Sequence, residues 1–127
     1  MRSWCGALVL AALAVSTHAM ADPQVGVASV YRDSVLSSGA RFNAHALAAA
    51  SRTLAPGTCA IVRHERRWAL LVINDCGPCC SPRCQASSAP ADRRAASRIL
   101  DLTPAAATRL GVRGLGRVMV WPAACGP

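Results

Sequence analysis

Four cysteines crowd into residues 76–84, in the stretch "DCGPCCSPRC" that opens on Asp75, and no other feature restricts the possible fold as much. What they become depends on the compartment, and the first residues speak to that. Met1 and Arg2 precede the apolar run "WCGALVLAALAV" and the small-residue sequence "AMA", the pattern of an export signal cleaved after Ala21. The run is shorter than the ~20 apolar residues a membrane-spanning helix needs. Cys5 precedes the apolar core instead of closing it, so the pattern carries no lipobox and predicts a periplasmic or secreted product that meets a membrane only during export. Residues 22–127 are then one small domain with six cysteines, Cys59, Cys76, Cys79, Cys80, Cys84 and Cys125. An even set in a small exported chain predicts disulfides. The tight spacing at 76–84 is also that of a zinc knuckle, but with no histidine nearby a metal is not expected. The spacing leaves the pairing open. It indicates only that the neighbours Cys79 and Cys80 take different partners, since a bond between adjacent residues strains the peptide.

The charge is one-sided. All 14 basic residues are arginine, against six acids, for a net +8 that falls to +7 when Arg2 leaves with the signal. Such a surface suits polyanions. Nucleic acid is not expected, because Tyr31, Phe42, Trp68 and Trp121 are the only aromatics after residue 21 and do not interleave with the arginines as base-stacking requires. Anionic wall polymers or lipid headgroups fit better, and a purely solubilising surface fits as well.

Along the chain, "VGVASVY" at 25–31 reads as a strand with Val25, Val27 and Ser29 on one face. A loop follows, and then "AHALAAASRTL" at 44–54, whose alanines predict two helical turns ending before Pro56 and Gly57. "TCAIVRH" and "RWALLVIN" form a hairpin around "HERR". Residues 75–97 read as a Cys/Pro/Ser-rich loop, too long for a bare connection. "RILDLTPAAATRLGV" is a strand, then a helix with Thr103 as N-cap, Pro104 at its first position and Gly111 as its stop, and "LGRVMVW" closes the chain as a strand. The expected class is mainly β with two short helices.

Taken in order, "GVASVY", "SGARFNAHALAAASRTLAPGT", "VINDCGP", "RILDLTPAAATRLGV" and "GRVMVW" resemble the rare lipoprotein A family across nearly all of residues 22–127. The resemblance implies a six-stranded double-psi β-barrel, here stabilised by disulfides, and places the chain among lytic transglycosylases of peptidoglycan. It implies glycan strands as partner, no cofactor, and a monomer. The pattern departs at two positions: the family's Gly-Glu-Arg is Gly39-Ala40-Arg41 here, and its Ala-Ala-His is Ala49-Ala50-Ser51. Those are the acid and the histidine that the family is understood to use, and neither Ala40 nor Ser51 can exchange a proton near neutrality. Asp75 and Asp101 remain as candidate catalytic carboxylates. Tyr31, Arg41, Asn74 and Asp75, all in the matched motifs, are the expected substrate-binding set.

A lytic transglycosylase can work with a single carboxyl, because the sugar's own C6 hydroxyl attacks to close a 1,6-anhydro ring. The resemblance favours Asp101 for that role, because it sits where related double-psi barrels place their acidic residue, at a strand end just before a helix. Asp75 follows an apolar strand, where partial burial is expected to raise its pKa. Losing one acid–base group typically costs 10²–10⁴ in rate. The loss at two positions therefore points first to a barrel that binds glycan with little or no cleavage, and second to an enzyme using Asp101 or Asp75. His45 and His64 read as surface residues. Asp75, the Gly77-Pro78 turn, Asp101, Ala40 and Ser51 are expected to share one groove.

Overall fold

The computed structural model describes residues 22–126. The expected signal segment, Cys5 included, lies outside the described residues. Six strands, β1 (Gln24–Val30), β2 (Ala48–Ser51), β3 (Cys59–His64), β4 (Arg67–Asp75), β5 (Arg98–Leu102) and β6 (Leu115–Ala123), close into one barrel in the order β1-β5-β2-β4-β3-β6. β1 pairs parallel with β5 and β2 parallel with β4, while every other pairing is antiparallel. Each parallel pair joins strands distant in sequence, so the chain crosses over twice to close the ring. The six-stranded barrel expected from the motif order is the fold observed.

Three short helices accompany the barrel: α1 (Pro82–Ala86), α2 (Pro90–Ala96) and α3 (Pro104–Leu110). Only α3 was expected. The "AHALAAASRTL" stretch is not helical but contains β2, whose four residues are all buried between β4 and β5. Alanine favours a helix in isolation. In this place it provides the small side chains that a central strand needs in a barrel of only six strands, and the ladders on both sides outweigh a weak local preference. The 75–97 stretch, expected as loop, holds α1 and α2, each started by a proline at its first position and neither burying a side chain.

The interior alternates small and branched residues. Ala28, Ala49, Ala60 and Ala69 interdigitate with Val62, Leu71, Ile73, Leu100, Leu102, Val118 and Val120. Helix α3 closes one end of this core with Ala106, Ala107 and Leu110. Its start behaves as expected: Thr103 Oγ1 accepts from Ala106 N at 3.2 Å and donates to Ala46 O at 2.6 Å, tying the helix to the segment before β2. Gly111 ends it with φ 71°, the left-handed conformation that glycine adopts without steric cost. His64, expected at the surface, is half-buried with Nδ1 2.9 Å from Leu110 O, under the same helix.

All six cysteines of the described residues are bridged, Cys59–Cys125, Cys76–Cys80 and Cys79–Cys84, so Cys79 and Cys80 do take different partners. The bridges differ in the chain they close. Cys59–Cys125 spans 66 residues and fastens the end of β6 to the start of β3, whereas the other two close four and five residues. On chain entropy alone the long bridge is worth about 4 kcal/mol and each short one about 2. The double variant Cys59→Ala/Cys125→Ala is expected to lose about twice as much unfolding free energy as Cys79→Ala/Cys84→Ala, measured by denaturant titration of the oxidised proteins.

Candidate functional site

The ladder registers bring the two candidate carboxylates into one row. Ala50 of β2 lies opposite Asp101 on β5 and opposite Asp75 on β4, and Asp101 in turn lies opposite Ser29 on β1. Residues paired across a ladder share a face. The adjacent residues Ala28, Ala49, Leu100 and Leu102 point into the core, as does Ile73, two residues before Asp75 and across the β4 bulge from it. The row Ser29, Asp101, Ala50, Asp75 therefore lies on the outer wall of the barrel. A register shift between Ala49 and Ala50 places two residues of β4, Asn74 and Asp75, where regular pairing has one, and this turns the Asp75 carboxylate into the row.

Two loops meet over it, the connection from β1 to β2 and the loop after β4. Asp75 Oδ1 accepts from Ser37 N at 2.9 Å, anchoring the loop that carries Ala40 and Arg41, and from Cys76 N at 2.9 Å, anchoring its own turn. Tyr31, just past β1, donates its hydroxyl to Asp75 Oδ2 at 3.3 Å, and its ring packs edge-on against Phe42 with centroids 5.0 Å apart. Gly77 sits above Ala50 and Asp101: a Cβ built on it would lie 3.5 Å from Ala50 Cβ and 3.5 Å from Asp101 Oδ2. The cystine-rich loop thus forms one side of the site, and Gly77 N reaches Ser51 O to join it to β2.

The electrostatics separate the two acids. Burial by itself pushes Asp75 up. The hydrogen bonds from Ser37, from the Cys76 amide and from Tyr31 outweigh it and hold the carboxyl below its ordinary value. The expectation of a raised pKa is thereby corrected: Asp75 is buried, but Ser37, Cys76 and Tyr31 all donate to its ionised form. Tyr31 moves the other way. Burial first, then the charge and hydrogen bond of Asp75, then Asp101 and Asp33, push its phenol far above the usual tyrosine range, so it stays a neutral donor. Asp101 is half-exposed, with Oδ1 accepting the Ser29 hydroxyl.

Tyr31, Asp75, the Gly77-Pro78 turn and Asp101 are brought together. Ser51 is not part of the row. It lies opposite Leu100, whose side chain is in the core, and its Oγ accepts from Thr53 N at 3.1 Å and Leu54 N at 3.0 Å. Strand alternation sends it away from Ala50, and it caps the turn after β2. Arg41 is exposed in an isolated bridge with Val35. Asn74 occupies the bulge, and its Oδ1 is buried without a hydrogen-bond partner among the described residues. Two participants were not singled out from sequence. Ser29 was read only as sharing a face with Val25 and Val27, and Ser37, which bonds Asp75 through its backbone amide and also favours the ionised carboxyl through its hydroxyl, sits in a stretch read simply as loop.

Compared with known proteins, residues 23–121 match the family model described as lytic transglycolase, a double-psi β-barrel. No curated protein matches the chain. Among solved structures, the Streptomyces papain inhibitor superposes with a TM-score of 0.54 at 18% identity, over 79% of this chain and 94% of that one. At that identity the likeness speaks to the fold.

The clamped carboxylate has a consequence for pH. A group whose pKa is lower in the folded chain stabilises it above the ordinary carboxylate value, and that contribution disappears as pH falls through the lowered value. Asp75→Asn is expected to be less stable than the wild type at pH 7 and to lose less on acidification below about pH 4, read from thermal unfolding midpoints across pH 2–7.

Proposed function

The chain belongs to the lytic transglycolase family of double-psi β-barrels, and from that premise we propose that it is an extracytoplasmic barrel that binds peptidoglycan glycan strands along the Ser29–Asp101–Ala50–Asp75 row with little or no cleavage. Three disulfides and the family support a location outside the cytoplasm. Among the described residues no helix is long and apolar enough to cross a membrane.

The observation that carries this reading is the condition of Asp75. Its two oxygens accept from Tyr31 and Ser37 of the β1–β2 connection and from the Cys76 amide, so it organises the wall of the groove and is held ionised. The family's other acid–base positions hold Ala40, which has no functional group, and Ser51, which faces its own turn. A groove keeps its shape and its acceptors after losing proton transfer, because binding and transition-state stabilisation are separate contributions. Sugar hydroxyls find an acceptor in Asp101, and the glycan's ring faces find the Tyr31–Phe42 pair at the margin.

One observation favours a second reading. Asp101 is half-exposed, with one oxygen on Ser29 and the other toward the Gly77 turn. That placement suits a single carboxyl which first protonates the glycosidic oxygen and then takes the proton from the C6 hydroxyl as it closes the 1,6-anhydro ring.

The protein is expected to co-sediment with purified sacculi, and Asp75→Ala is expected to weaken the pull-down at least tenfold by loosening both loops. Digests should contain no 1,6-anhydromuropeptides by mass spectrometry. Release of such products by the wild type, abolished in Asp101→Ala, would replace the binding reading with the single-carboxylate enzyme.

A further inference from the structure

On the far side of the barrel from the row, β3 and β6 stand opposite β5 and β2 in the closed order. The strands that flank this pair, β4 and β1, expose the apolar side chains of the face, and β3 and β6 set Arg63 and Arg117 between them. Trp68, Leu70 and Val72 of β4 are 49, 48 and 45% exposed, and Val25 of β1, opposite Met119, is 48% exposed. Trp68 and Trp121 lean toward each other across β3 and stack at 5.3 Å with 20° between their planes. Arg63 lies over the Trp68 ring at 5.3 Å. Beside this face is an open cleft of about 400 Å³ in which Arg63 and Arg117 flank an apolar floor of Val118 and Met119, with Glu65 as its one acid. Arg66 is exposed in the hairpin turn next to it.

Apolar side chains exposed together on one face of a small protein mark an interaction surface. We infer that this wall is a docking surface for an anionic phospholipid membrane, with Trp68, Leu70, Val72 and Val25 entering the interfacial layer and Arg63, Arg66 and Arg117 meeting the headgroup phosphates. Three observations select that occupant. The cleft and its rim set three arginines against Glu65, so the partner is anionic, and a second copy of the same face would bring like charges together. The outer wall of a closed barrel is convex, which limits the area two rigid barrels can bury, whereas a lipid layer deforms to fit it. Trp68 stacks with Trp121 and carries Arg63 over its ring while staying 49% exposed, the kind of aromatic side chain with a cationic neighbour that sits at a membrane interface. The surface is distinct from the proposed glycan groove and does not rest on it.

The test uses the oxidised chain from Asp22 onward, which carries the whole barrel. Its only tryptophans are Trp68 and Trp121, so emission reports directly on this face. With vesicles of equal parts phosphatidylglycerol and phosphatidylcholine, the protein is expected to co-sediment and its emission to shift to the blue. Pure phosphatidylcholine vesicles should bind at least tenfold less, since each arginine near an anionic surface contributes about fivefold. Leu70→Asp, and independently Val25→Asp on the neighbouring strand, should each weaken vesicle binding at least tenfold, with unchanged far-ultraviolet circular dichroism and unchanged co-sedimentation with sacculi. Absence of any shift or sedimentation with anionic vesicles would overturn the proposal. So would equal vesicle binding by folded Leu70→Asp and Val25→Asp, concentration-dependent dimerisation abolished by Leu70→Asp, or capture of an acidic protein that blocks this face in place of lipid.

Discussion

The arrangement of this molecule depends on four residues of β2 lying flat between a parallel and an antiparallel neighbour. Ala48–Ser51 are all buried, and their backbone satisfies β4 on one side and β5 on the other. A larger side chain at Ala49 would enter a core that is already filled, and one at Ala50 would meet Gly77. Because Ala50 is the common partner of Asp75 and Asp101, the closure of the barrel and the meeting of the two carboxylates are a single event. The row does not need to be assembled separately from the fold.

Much of this could be read from the chain. The strands at 24–30, 59–64, 67–75, 98–102 and 115–123 announce themselves through β-branched residues and alternation, and the Thr103-Pro104 start and Gly111 stop of α3 are local signals that tertiary structure had no reason to override. Asp75 and Asp101 could be picked out because ordered motifs carried them. β2 could not be read in the same way, since alanine is a helix former wherever packing is silent and a strand former only where neighbours on both sides leave room for nothing larger. The state of Asp75 was also illegible. Burial alone argues for a raised pKa, and the opposing donors come from residues 31, 37 and 76, two of them through backbone amides that have no signature in composition. Ser51 was misplaced for a simpler reason, that a strand end inverts facing with every residue and the bulge on the adjacent strand shifts the count by one.

The two halves of the outer wall show how a small barrel separates polar from apolar work. On the β5–β2 side the outward positions are Ser29, Asp101 and Asp75, covered by loops that supply their hydrogen bonds. Flanking β3 and β6, the outward positions of β4 and β1 are aromatic and aliphatic, with Arg63 between them. Both faces hang on the same interior of alanine, valine, isoleucine and leucine.

The convergence of two loops on Asp75 also bears on how such a chain can diversify. The segments around Ser37 and Cys76 touch the barrel at this point through backbone amides, with the Ser37 hydroxyl adding to the hold on the ionised carboxyl. One aspartate thus works as a socket: it fixes where the loops attach. Residues such as Ala40 can then drift away from chemistry without loosening the scaffold, and a lineage of these barrels can exchange one ligand for another while retaining an acid that still resembles a catalyst.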